Sequence, residues 1–162
     1  MQKTKLNTLF LVVTFSIIFG SVSCNAQKHD TKVIGENQRD APVITMDFET
    51  LKDKWEAVLL HGGVEMNISE VEIVQNRDGS YLLMSSNSDN TIFACISLVL
   101  IGDEFHEQLI DTDAQVGGGL TVSCSGCALG CHPEIIGGKG YCTPLCTNCT
   151  KTETLTSGPV LD

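Results

Sequence analysis

Thr91-Ile92-Phe93-Ala94-Cys95-Ile96-Ser97-Leu98-Val99-Leu100-Ile101 is nearly continuous apolar sequence, rich in branched residues. Turn formers close it on both sides, Ser86-Asn87-Ser88-Asp89-Asn90 before and Gly102-Asp103-Glu104 after. The run is too short for a membrane helix, and apolar side chains at both parities imply burial on both faces of a sheet. It predicts a central strand, around which the rest of the chain can be placed.

Upstream, Ile68, Val71 and Ile73 lead into Asn76-Arg77-Asp78-Gly79, a strong turn signal, and Tyr81 to Met84 runs back, which makes a hairpin. Further upstream the apolar period is helical. Phe48, Leu51, Trp55, Val58 and Leu59 recur at steps of three and four, while Lys52, Asp53, Lys54 and Glu56 point away. The spacing predicts a helix over 48–61, capped by Asp47 and stopped by positive backbone angles at Gly62-Gly63. Trp55 sits in the middle of the stripe and belongs to the core, and His61 suits the negative end of the helix dipole.

Downstream, Phe105 to Ile110 is a further strand, with His106 between Glu104 and Glu107 on a solvated, charged edge. Asp111 to Gly119 reads as a loop ending in three glycines, and Leu120-Thr121-Val122-Ser123 leads a last strand into a cysteine cluster. The expected fold class is α+β: one N-terminal helix followed by a small antiparallel meander over 46–119, with a Cys-rich irregular tail over 120–162. The helix covers one face of the sheet; the other needs the meander's curl or the tail. A body of about 75 residues is marginal for core burial, so extra stapling is physically useful.

Ahead of the body, residues 24–45 are polar and of mixed charge, which predicts a flexible tether. Val33-Ile34 and Val43-Ile44 are too short to bound as strands. Residues 1–23 combine Lys3 and Lys5, an apolar run from Leu6 to Phe19 and the small-residue exit Gly20-Ser21-Val22-Ser23, the plan of an export signal. That exit, followed by Cys24, resembles the lipobox of bacterial lipoproteins in the relaxed form found among Bacteroidetes, with Ser21 where Leu is usual. The resemblance implies a lipidated Cys24 as mature N-terminus, a membrane partner reached through the anchor and a place in the cell envelope. The alternative is ordinary cleavage after Ser23 or Ala26 and a secreted or periplasmic product.

Removing residues 1–23 takes away Lys3 and Lys5, two of ten basic residues, and none of twenty acidic ones, so the formal net charge falls from −10 to −12. A chain this acidic repels phosphate backbones, which excludes a nucleic-acid partner.

Six of eight cysteines lie near the C-terminus, Cys124, Cys127, Cys131, Cys142, Cys146 and Cys149, with a spacing that reads the same in both directions. Three readings compete. Outside the cytoplasm an even cysteine count in a segment with few apolar residues implies a disulfide framework. The symmetric spacing suggests nested pairing with Cys131–Cys142 innermost, although sequence cannot choose among fifteen connectivities. Alternatively, Cys124, Cys127, Cys146 and Cys149 have the C-x2-C arms of a four-thiolate zinc site; otherwise no cofactor is expected. A thiol-disulfide redox role is the third, but Ser125-Gly126 offers no helix start to lower a thiol pKa. Cys95, within the apolar strand, reads as a small core residue.

His29, His61, His106 and His132 show no triad or H-E-x-x-H spacing. The sequence therefore points to a non-enzymatic exported module with a disulfide-stapled tail, and to a zinc-binding protein as the alternative.

Overall fold

The computed structural model describes residues 31–39, 41–112, 115–126, 130–144 and 148–161. In chain order the elements are β1 (Val33–Gln38), β2 (Ala41–Ile44), α1 (Phe48–His61), β3 (Ile68–Gln75), β4 (Tyr81–Asn87), β5 (Ile92–Ile101), β6 (Glu104–Glu107), β7 (Ile110–Thr112), β8 (Gln115–Gly118), β9 (Leu120–Ser125), β10 (Cys131–Ile136), β11 (Lys139–Pro144) and β12 (Thr150–Leu155). Among the described residues no helix is long and apolar enough to cross a membrane.

The apolar run becomes β5, and it is the hub. Along one edge it pairs with β4, from Phe93↔Ser86 to Leu98↔Tyr81. Its other edge is shared: Ile92 to Ile96 pair with β9, and Leu98 to Ile101 pair with β6. β6 continues to β1 and β2, β9 continues to β12, and β3 pairs with β4, giving one antiparallel sheet. β2 also runs beside β3 without a ladder between them, so the sheet curls toward closure.

Strand alternation divides the core in two. Ala94, Ile96 and Leu98 of β5 join Leu83, Ile73 and Phe105 beneath the buried helix stripe Leu51, Trp55 and Leu59. Cys95, Leu82, Leu120, Val122 and Cys124 point the other way and are covered by Cys131 and Ile135 of β10. The molecule is thus three layers: helix, sheet and the β10–β11 hairpin.

The helix occupies the predicted span, and the Asp47 carboxylate accepts from Thr50 N at 2.9 Å as its N-cap. Only Gly63 takes a positive φ at its end (81°); Gly62 has φ −75°. Gly62 is needed for space, because a Cβ there would overlap the Thr154 hydroxyl of β12.

Several expectations are corrected. Two strands precede the helix, so it is not the first element. Val33–Gln38 and Ala41–Ile44, expected within the flexible tether, form β1 and β2; in β1 the buried positions are the adjacent pair Ile34 and Gly35, which leaves no period to read. Because β1 is present, β6 lies between β5 and β1 and is no solvated edge. Finally, 120–162 is not an irregular tail, since β9 and β12 belong to the main sheet and β10–β11 forms the third layer. Its core is built from Cys124, Cys131, Thr121 and Ser123 as much as from aliphatic residues, which hides it from an apolar count. The stretch read as a loop before it also contains the β7–β8 pair.

Candidate functional site

Strand β10 crosses over β5 and β9 with Cys131, Pro133 and Ile135 buried beneath it, and alternation puts His132, Glu134 and Ile136 on its outer side. In the β10–β11 ladder Pro133 is opposite Cys142 and Cys131 is opposite Pro144. Cross-strand partners share a face, so Cys131 and Cys142 both point inward but stand one pair out of step. Each reaches down to the sheet instead of across to the other. Cys142 bonds Cys124 of β9, with Cα atoms 5.8 Å apart, and Cys131 bonds Cys149 just before β12, with Cα atoms 5.9 Å apart.

The pairing therefore differs from the nested arrangement. Both bridges span 18 residues and clip the hairpin to the two neighbouring strands β9 and β12. Cys24, Cys127 and Cys146 lie outside the described residues, as do His29 and the export signal. Of the four sulfurs in the zinc reading, Cys124 and Cys149 are each held in a disulfide to a different partner. Among the described residues no group of three or more His, Cys, Asp or Glu side chains is placed to hold a metal. Disulfides persist in oxidising compartments, and the two pairs fit an exported protein.

Cys95 is a free thiol, fully buried beneath the hairpin. Burial pushes its pKa up, and the Glu134 carboxylate adds to the shift, so the thiolate is suppressed and the side chain acts as core packing.

The hairpin covers β5 and β9 but leaves the same face of β4 and β3 open. A groove of about 460 Å³ runs along these two strands, bordered on that face by Glu70, Glu72 and Met84 and from the helix side of the sheet by Phe48 and Val71. Glu70 and Glu72 of β3 are cross-strand partners of Ser86 and Met84 of β4, so all four share its floor. Phe48 contributes from the start of the helix and Phe93 from β5. The Phe93 ring packs against His132 of β10 at 4.5 Å between centroids with the planes tilted by 44°, and Gly130 passes against it. A second groove, about 500 Å³, is lined by Asp53, Glu56, Leu60 and Glu65, but Glu56 is occupied there in accepting Ile68 N at 2.7 Å.

Of the other residues singled out, His61 is exposed at the helix end. His106 Nδ1 lies 3.0 Å from the Thr31 carbonyl, and its Nε2 lies 3.4 Å from Glu104. Glu107 was missed by sequence reasoning as a structural residue. It is buried, and its carboxylate accepts from Val160 N (2.7 and 2.8 Å) and Leu161 N (3.2 Å). Lys54 Nζ donates to the Leu161 carbonyl at 3.1 Å, so the segment after β12 is pinned between helix and sheet. The apolar pair Val160-Leu161 after Gly158-Pro159 was the signal for that docking.

These features define a class, a small antiparallel β protein with, among the described residues, one helix and a disulfide-clipped outer layer. Compared with protein-family models, curated proteins and solved structures, the chain matches none.

Proposed function

We propose that this is a non-enzymatic exported protein of the cell envelope, anchored to a membrane by a lipid on Cys24, which serves as a binding or structural module. The observation that carries the reading is the pair of disulfides, Cys124–Cys142 and Cys131–Cys149, made by sulfurs that sit in the second core cluster. Such bridges belong to an oxidising compartment, and the apolar leader ending in small residues before Cys24 supplies the route. Four of the six clustered sulfurs are bonded to one another, and the other two, Cys127 and Cys146, lie outside the described residues.

Intact mass of the mature protein under non-reducing conditions tests the pairing. Each bridge removes two hydrogens, and alkylation before reduction should label Cys95 at most. Free Cys124, Cys127, Cys146 and Cys149 with a bound zinc equivalent would favour the metal alternative. Fractionation tests the anchor: the wild-type chain should follow the membrane and carry a diacylglycerol mass, and Cys24→Ala should be soluble. A soluble wild-type product beginning at Cys24 or Gln27 would point instead to ordinary cleavage.

A further inference from the structure

We propose that the groove over β3 and β4 binds an extended basic peptide with cationic side chains at every second position; this deepens the binding-module reading and rests on it. The floor sets the match. Glu70 and Glu72 stand two residues apart on one face of β3, which in a strand separates successive side chains by about 7 Å. An extended ligand has the same period, so Lys or Arg at alternate positions meets both carboxylates at once.

Nothing in the groove already neutralises them. Both carboxylates are exposed, none of the lining residues is Lys, Arg or His, and neither Glu has an ion-pair partner among the described residues.

The apolar part of the lining selects for more than charge. Phe48 is 40% exposed although it belongs to the helix stripe, and Phe93 and Met84 are half-buried. Aromatic faces beside carboxylates hold a guanidinium or ammonium by cation–π attraction and cover the aliphatic stem of Lys or Arg. His132 and Gly130 fix the Phe93 ring from the hairpin side, and Cys131 next to them is bonded to Cys149, so the disulfide layer shapes one wall.

The test is fluorescence anisotropy of a labelled hexapeptide of alternating Lys and Val against the purified mature protein with its disulfides intact, beside a hexapeptide of alternating Glu and Val. The Lys-Val probe should bind and the Glu-Val probe should not. E70Q/E72Q and, separately, Phe48→Ala should each weaken binding about tenfold, the scale for removing partly desolvated contacts at a small interface. D53N/E65Q, which removes the same two charges from the other groove, should leave it unchanged. Equal weakening by both double variants would overturn the groove as the site and assign the attraction to overall charge, with the binding-module reading intact. Absence of Lys-Val binding would overturn the proposal outright, while mass and fractionation test the exported-module reading by themselves.

Discussion

Glu107 shows what a single side chain contributes. A buried carboxylate is costly unless its charge is met by donors, and here the amides of Val160 and Leu161 meet it. In Glu107→Gln the amide oxygen can still accept, but the NH2 group would face a backbone N–H. The expected loss is about 2 to 3 kcal/mol, the scale of a charge-assisted bond left unmade, seen as a lower urea midpoint with faster amide exchange at Val160 and Leu161. Asp47 gives a pH signature of opposite character, because it is exposed. Its hydrogen bonds to Thr50 hold the carboxyl below its ordinary value. A depressed folded pKa means the cap stabilises the helix above the unfolded value and is lost as pH falls through the folded one. The Thr50 amide shift should therefore titrate below the usual carboxylate range, and a midpoint at or above that range would contradict the cap.

At the scale of elements, periodicity was a good guide wherever one side chain type filled a face. The helix and β5 were legible for that reason, and so was the β3–β4 hairpin, whose turn closes through Asn76 N to Ser80 O at 2.7 Å with Gly79 at φ 88°. β1 was hidden because its buried positions, Ile34 and Gly35, are adjacent, and β9 because Thr121 and Ser123 are buried beside Val122. Disulfide connectivity was hidden for a stronger reason. It depends on the β10–β11 register, and a symmetric cysteine spacing says nothing of which residues a hairpin sets opposite each other. The groove was hidden likewise, since Phe48, Glu72 and Phe93 meet only after three elements assemble.

The contact between the helix end and β12 gives an element-scale prediction. Gly62 has a negative φ, so Gly62→Ala meets no backbone obstacle, yet its methyl would overlap Thr154. Overpacking of this kind costs about 1 to 3 kcal/mol. Thr154→Ala in the same chain should recover most of that loss, and a thermal-unfolding double-mutant cycle reads the coupling. Additive effects would mean that the helix end and β12 do not touch.

The whole molecule depends on how the third layer is retained. The hairpin buries Cys131, Pro133 and Ile135 against β5 and β9, too small an apolar area to secure a two-stranded unit alone. Closing an 18-residue loop contributes about 3 kcal/mol in the chain-entropy account, and two overlapping loops contribute less than twice that. Cys95 is a built-in reporter of whether the layer stays down. In the oxidised protein it is fully buried and its thiolate is suppressed, so iodoacetamide should leave it unlabelled in native buffer. Reduction without denaturant should release the hairpin and uncover the face holding Leu82, Cys95 and Val122. Cys95 labelling should then rise with that of Cys131 and Cys142, while the helix side, where Trp55 is buried, keeps its native fluorescence. If Cys95 stays protected after the other sulfurs are alkylated, packing alone holds the hairpin and the bridges act chiefly on the unfolded chain. If the Trp55 signal collapses at the same time, the three layers unfold as one cooperative unit, and the bridges stabilise the whole sheet through β9.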